Sequence, residues 1–339
     1  MDRVAADSYV YAKASGIYSR SFIGKRVSGL FQAKRVRDLW SLLFEDEVPL
    51  VPEGLLALYL ERRAEERGVN DFISLLSAYD KPDLLSRTLL SFYDYNNLKA
   101  AASAVSVGAE EPPFMVDIKQ FSILDRKQWP DIQAMTKNSP LAWFDRVPEL
   151  EEQVVWETRL DHEYYTAVWN AFLSLSTKDR ASTETIIQEE IILQNIVWAM
   201  RLTSYYHMDP EQIIPMLACI NEKEPTREKL CGPALYVLTR SFDTHTDWDG
   251  WKYSWLLNPH EEGFPWELDP RWAQLEGDKF LYRTAMTSFH QNPFTVGVLV
   301  SFLKIKQLED QMIRIAAEGL RLGANETELN EYVGDIFHA

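Results

Sequence analysis

Residues 292–323, NPFTVGVLVSFLKIKQLEDQMIRIAAEGLRLG, constrain the fold more than any other stretch, because they read as one helix marked at both ends. Asn292 suits an N-cap and Pro293 the first helical position, where a missing N–H costs nothing. Gly323 supplies the left-handed residue that ends a helix. Between them Val298, Phe302, Ile305, Leu308, Met312, Ile315 and Leu320 recur at helical spacing. Lys304, Lys306, Glu309, Asp310, Arg314 and Glu318 fall largely between them, so one face is expected in a core and the other in water. At ~1.5 Å per residue this rod would be roughly 45 Å long. A rod of that length needs neighbouring elements to cover its apolar stripe.

Two earlier stretches carry the same local order of an acidic or hydroxyl start, an apolar stripe, and a side-chain amide followed by an apolar residue. In LLSFYDYNNLKAAASAV the amide is Asn97, followed by Leu98; in IIQEEIILQNIVWAMRL it is Asn195, followed by Ile196; Gln311 and Met312 hold that place in the third. The amide-to-amide steps of 98 and 116 residues are too long for a tetratricopeptide or ankyrin array and fit three small domains. The expected divisions are 1–110, 111–209 and 210–339, each a helical repeat domain. The pattern alone is equally compatible with three unrelated amphipathic helices.

FYDYNNLKAAA, EIILQNIVWAMR and SFLKIKQLEDQMIRIAAEGLRLG, in this order and at these distances, resemble the three helical cores of the C subunit of V-type and A-type rotary ATPases, subunit d of eukaryotic pumps. The last motif is the most specific, and the resemblance spans nearly the whole chain. The chain departs from the family pattern at Gln311, where asparagine is common, and in the tryptophan-rich stretch 243–272. The resemblance implies an all-α, funnel-shaped assembly of three similar domains with no cofactor and no catalytic role. It implies a place in the central stalk, as a socket between the rotating shaft, made of D-type and F-type subunits, and the membrane proteolipid ring, passing torque between ATP chemistry and ion transport. The expected location is peripheral, on the cytoplasmic face of the membrane, through those partners.

Composition sets the bounds within which this reading operates. With 46% hydrophobic and 12% aromatic residues in 339, the chain can pack a sizeable core, and 14 glycines with few alternating runs favour helix throughout. Its longest apolar run lies within 293–303, far short of the ~20 residues a membrane span requires. The opening MDRVAADSY has an early acid and no apolar core, so it does not read as a secretory signal. Cys219 and Cys231 match no ligand or redox spacing and are read as reduced and structural, as expected of a cytoplasmic protein. The net charge of −16 is uneven. Residues 1–37 carry Arg3, Lys13, Arg20, Lys25, Arg26, Lys34, Arg35 and Arg37 against only Asp2 and Asp7, leaving the remainder strongly acidic. That disfavours nucleic acid as a partner. The basic segment reads as a solvated face pairing with the acidic bulk, or as an arm near lipid headgroups or an acidic partner.

Helices are expected over 9–17, 36–44, 52–67 and 82–105, with Gly24, Pro49 and Gly68 as punctuation and Asp80 capping the last of them. GAEEPP, 108–113, is the clearest linker. Further helices are expected over 149–156 and 164–174, and an amide helix from about Ser182 or Thr183. A break in HMDPEQ is followed by a fresh cap at Asp209 before Pro210, and Asn325 with Glu328 resembles a capping box.

No constellation of catalytic residues stands out, and no catalytic, cofactor-binding or metal residue is assigned. Gly24–Lys25 lacks the upstream glycine and following Ser/Thr of a phosphate loop. His162, His207, His245, His260, His290 and His338 are scattered without partners at ligand spacing. In DTHTDWDG, Asp247, Asp249 and Gly250 match positions three, five and six of a calcium loop. The same frame puts His245 first and Leu256 in the twelfth place, where a bidentate Glu is required. Glu189–Glu190 and Glu309–Asp310 read as solvated helix faces. Trp248, Trp251, Trp255, Trp266 and Trp272, among Pro259, Pro265 and Pro270, read as packing an irregular loop onto the third domain, with a partner contact as the alternative. The alternatives to a pump subunit are a helical protein-binding adaptor and an all-α prenyl-diphosphate enzyme. The latter needs clustered carboxylates for magnesium, yet the chain has no Asp-Asp pair, and Glu45-Asp46-Glu47 sits beside Pro49 in a stretch that reads as a loop rather than a helical wall.

Overall fold

The structure is a computed structural model that describes residues 2–219, 228–261 and 263–333. Among these residues all regular structure is helical, as the sequence leads one to expect. His338 lies outside them. The chain gathers into two compact units, one of Met1–Val147 with Ala285–Ala339, the other of Pro148–Thr284; the divisions expected at 110 and 209 fall inside them.

Unit 1 contains α1 (Arg3–Tyr18), α2 (Val27–Phe31), α3 (Val36–Leu43), α4 (Glu53–Leu76), α5 (Leu84–Leu90), α6 (Phe92–Ser106) and α7 (Ile132–Thr136). Unit 2 contains α8 (Gln153–Leu173), α9 (Thr177–Tyr206), α10 (Pro210–Ile213), α11 (Gly232–Val237) and most of α12 (Pro270–Gln291). The chain then returns to unit 1 with α13 (Val296–Leu322) and α14 (Glu326–Val333).

The centre of unit 1 is the pair α4 and α13, with α1, α2, α3 and α5 packed around α13. Val298, Phe302, Ile305, Leu308 and Met312 are buried as their spacing predicts, whereas Ile315 and Leu320 are half-buried. Each fully buried side chain of this size contributes about 1.5–3 kcal/mol relative to exposure, which makes this seam the main apolar bond of the unit. The helix starts later than expected. Thr295, not Asn292, is its cap and accepts from the Gly297 N–H at 3.1 Å; Asn292 instead closes α12 on the Ser288 carbonyl, and Phe294 takes a left-handed φ of 60°. Gly323 ends the helix as read, at φ 80°.

Several other boundaries move for identifiable reasons. Gly68 is no stop: it is buried inside α4, and a Cβ there would stand 3.0 Å from Asp310 Oδ2 on α13, so the glycine is set by close approach. The helix expected over 82–105 breaks at Ser91, and Asp83 rather than Asp80 caps its first half, accepting from Ser86 N at 2.8 Å. The two helices expected over 149–156 and 164–174 are one, α8, because nothing between them interrupts the backbone. The amide helix α9 begins at Thr177, where Ser176 Oγ accepts from Asp179 N at 3.2 Å. The cap at Asp209 forms as read, with Gln212 completing a capping box not expected from the sequence, and the Asn325–Glu328 capping box forms as read.

Unit 2 is organised on α9, against which α8 and α11 pack. Three of the five tryptophans are part of its interior, whereas Trp255 is exposed and Trp272 half-buried. Trp248, Trp251 and Trp266 are buried, Tyr236 stacks on Trp251 at 5.7 Å, and the indole N–H groups of Trp248 and Trp266 donate to Ser241 and Asn258 carbonyls at 2.9 and 3.1 Å. Pro270 and Trp272 belong to the first turn of α12 rather than to the loop, with Asp269 Oδ1 accepting from Arg271 N at 2.9 Å.

Candidate functional site

On unit 1, α3 and α4 build an open groove of about 700 Å³ whose lining mixes rings and guanidinium groups. The α3 stripe Val36, Leu39, Trp40 and Leu43 is buried, which fixes Trp40 and the following Phe44 against α4. Arg63 lies 5.4 Å over the Trp40 ring and 4.8 Å over Phe44, Arg67 lies 5.1 Å over Phe44, and Arg62 lies 4.9 Å over Phe114. Arg67 also donates to the Leu43 carbonyl at 2.7 Å, and Arg63 pairs with Asp46. Guanidinium groups held over rings keep their outward N–H donors ordered, an arrangement suited to carboxylate groups on another surface.

Behind the groove runs a charge network that spacing placed in water and the structure places inside. Lys306 and Glu309 are 3% and 1% exposed, against the expectation of a wet face. They pair with each other, Lys306 also reaches Asp71 Oδ2 at 3.8 Å, and Glu309 Oε1 accepts from the Phe22 N–H at 2.7 Å. These partners hold the Glu309 carboxyl below its ordinary range despite the opposing effect of burial. Burial pushes Glu65, Asp71 and, most strongly, Asp310 upward, and raises the Tyr93 phenol beside them. The reason the pattern misleads is α4: a helix more than two hundred residues earlier covers the polar side of α13.

Asn97 and Asn195 do related work in the two units. Asn97, buried on α6, donates Nδ2 to the Val116 carbonyl and accepts from the Val116 N–H, both at 2.8 Å. Asn195, buried on α9, accepts from the Ala218 N–H at 2.8 Å and donates to the Ala218 and Leu230 carbonyls at 3.2 and 3.0 Å. Each amide thus imitates a backbone partner for a strand of loop roughly twenty residues downstream, which satisfies groups that a buried loop would otherwise leave unpaired. Beside Asn97, Asp94 gathers a second segment, accepting from the Ile123 N–H at 2.6 Å and from Ser122 Oγ at 3.0 Å, and burial raises its pKa. Gln311 is half-buried on α13.

Other sequence features settle differently from their reading. Cys219 and Cys231 are joined as a disulfide with Cα atoms 5.4 Å apart, not reduced as expected. Their separation gave no sign of this because the Asn195 clamp, distant in sequence, brings the two segments together. Glu189 is not a solvated acid: it accepts from Tyr253 Oη at 3.1 Å and pairs with Lys252 at 3.6 Å. His245 stacks on His260 at 5.1 Å and meets the edge of Trp266, while Leu256, in the twelfth place of the calcium frame, is buried. His207 caps α9 with φ 50°, and His290 packs on Tyr18 and Phe289. The basic N-terminal segment is no free arm. Ala6, Val10 and Ala14 bury α1 against α4 and α13, with Arg3 near Asp7 and Arg35 bonded to Asp38. Among the described residues no helix is long and apolar enough to cross a membrane.

Comparison with known proteins bears on what these features serve. A family model described as ATP synthase (C/AC39) subunit matches residues 30–227. A protein of Treponema pallidum (strain Nichols), described as an uncharacterized protein, is 32% identical over 338 residues, which cover 99% of this chain and 98% of that one.

Proposed function

The chain belongs to the ATP synthase (C/AC39) subunit family, and from that premise we propose that it is a non-catalytic central-stalk subunit of a V/A-type rotary ATPase. In this reading it is a socket that joins the D-type and F-type shaft subunits to the proteolipid ring and transmits torque between ATP chemistry and ion transport. It is peripheral to the membrane, on the cytoplasmic face, held there by its partners. The three-domain funnel belongs to the same proposal. The family match carries it.

The physical features of the chain support the reading. A torque element must resist shear, and long helices buried along their length do so because packed side chains cannot slide without opening voids. The α4–α13 seam adds a buried charge network whose partners are specific in position, and the Asn97 and Asn195 clamps tie loops to helices rather than leaving them to slip. The ring-backed arginines of the groove offer ordered donors to an acidic partner surface. None of these features requires a bond to be made or broken in this chain.

Affinity purification of the tagged chain from gently solubilised source membranes, with companions identified by mass spectrometry, tests the proposal. Shaft and proteolipid subunits are expected to come down together with the chain. Their absence, with intact pump present in the same extract, would overturn the stalk assignment. Retention of a nucleotide by the isolated chain would count against a non-catalytic role.

A further inference from the structure

We propose that Cys219, Cys231 and Glu228 form, when the cysteines are in their dithiol state, a binding site for a thiophilic divalent cation of zinc's class. Cys231 and Glu228 are buried, Cys219 is half-buried, and their ligand atoms lie within 4.8 Å of one another. The second observation is the carboxylate. Glu228 is 7% exposed; its Oε2 accepts from the Cys231 N–H at 3.0 Å, while Oε1 is buried with no hydrogen-bond partner among the described residues. A buried acceptor of this kind calls for a donor or a cation, and a disulfide, which carries neither a proton nor a charge, does not supply one.

The site is positioned from outside. Asn195 accepts from Ala218 N and donates to the carbonyls of Ala218 and Leu230, the residues immediately before each cysteine, and the Glu228 carbonyl accepts from Gly232 N at 2.9 Å. Backbone on both sides of the site is therefore fixed whether or not the sulfurs are bonded. With Cα atoms 5.4 Å apart, rotation of the two side chains can open the pair toward metal–sulfur bonds of ~2.3 Å, with carboxylate oxygen at ~2.0–2.2 Å. Two thiolates and one carboxylate select zinc's class over calcium or magnesium, which prefer oxygen donors. On binding, the cation displaces one proton from each thiol, and the three anionic ligands leave the filled site with one negative charge. Opening the disulfide beforehand takes two electrons and two protons: two thiols supply both and become a disulfide, whereas a phosphine supplies the electrons, takes the oxygen of a water molecule to become its oxide, and leaves that water's two protons for the thiols.

The test loads the full-length protein with Zn2+ alone. One sample is reduced with a phosphine and desalted without oxygen, the other is left as the disulfide, and retained metal is measured by mass spectrometry. About one Zn2+ per chain is expected on the reduced protein and none on the oxidised one. Glu228→Gln is expected to weaken binding at least about tenfold, the size that loss of even an outer partner of a ligand produces, with helicity checked by circular dichroism. If that variant does not fold, Co2+ on the reduced wild type decides, through the presence or absence of thiolate charge-transfer absorption. No metal on the reduced protein, equal binding by the oxidised form, undiminished affinity in folded Glu228→Gln, or a Co2+ spectrum lacking thiolate would each overturn the proposal. The outcome is independent of membership in a pump.

Discussion

The two long helices α13 and α9 bury polar groups in opposite ways. α13, 27 residues long, carries a lysine and a glutamate into the interior of unit 1; α9, 30 residues long, buries a carboxylate, Asp179, only in its first turn and carries a neutral amide, Asn195, through the interior of unit 2. The charged seam gains position-specific pairing at a large desolvation cost, and ties stability to pH. The amide costs less to bury, is indifferent to pH, and satisfies loop backbone that apolar packing leaves unpaired. One polar device locks helix to helix, the other locks loop to helix.

The largest effect expected is at the charged seam. Lys306→Met leaves Glu309 buried with the Phe22 N–H as its remaining strong partner, and loss of one member of a buried pair costs about 3–5 kcal/mol. Chemical denaturation gives the magnitude, and hydrogen exchange shows whether the loss stays within unit 1. A change below 1 kcal/mol would mean the pair is not buried as described.

At the amide, Asn195→Leu strands the Ala218 N–H and two carbonyls. The expected loss is roughly 2–4 kcal/mol, with exchange accelerated at Ala218 while the α4 and α13 amides stay protected. Asn97→Leu is expected to cost less, roughly 2 kcal/mol, because the Asp94 bonds to Ser122 and Ile123 persist. If the first variant were neutral and the second severe, the two amides would not share a role.

The smallest effect separates the seams by pH. Asp310 has its folded pKa raised by burial, so the folded state binds its proton more tightly than the unfolded chain does. Its contribution is fully present below the ordinary carboxylate value near ~4 and is lost as pH rises from there through the raised folded value. Glu309, held low, works oppositely: its contribution is present above the ordinary value and is lost as pH falls through its folded value. Asp310→Asn should therefore gain in Tm over the wild type as pH increases from about 5 to 8. An equal Tm difference at all pH values would remove the charged seam as the source.

Much of the fold was legible because helix ends are written locally: Gly323, the Asp209 cap and the Asn325–Glu328 box need only neighbouring residues. The all-α class and the buried stripe of α13 followed from periodicity. What could not be read depends on contacts distant in sequence. The charges of α13 are buried by α4, Gly68 is a glycine inside a helix because Asp310 approaches too closely for a Cβ, and the cysteines meet because Asn195 holds both their segments. The amides stood out by their place in similar helical stretches, while their partners, Val116, Ala218 and Leu230, carry no signal of their own. The groove was hidden for the same reason, since Arg63 and Arg67 become a surface only when Trp40 and Phe44 are laid against them.

The most direct test of the coupling role is ATP-driven ion uptake by membrane vesicles from cells lacking this chain, with and without the chain restored. The account predicts that uptake is lost without it and returns with it, even where ATP hydrolysis by the catalytic head persists. Uptake that continues undiminished in its absence would contradict the assignment of this chain to the path of torque.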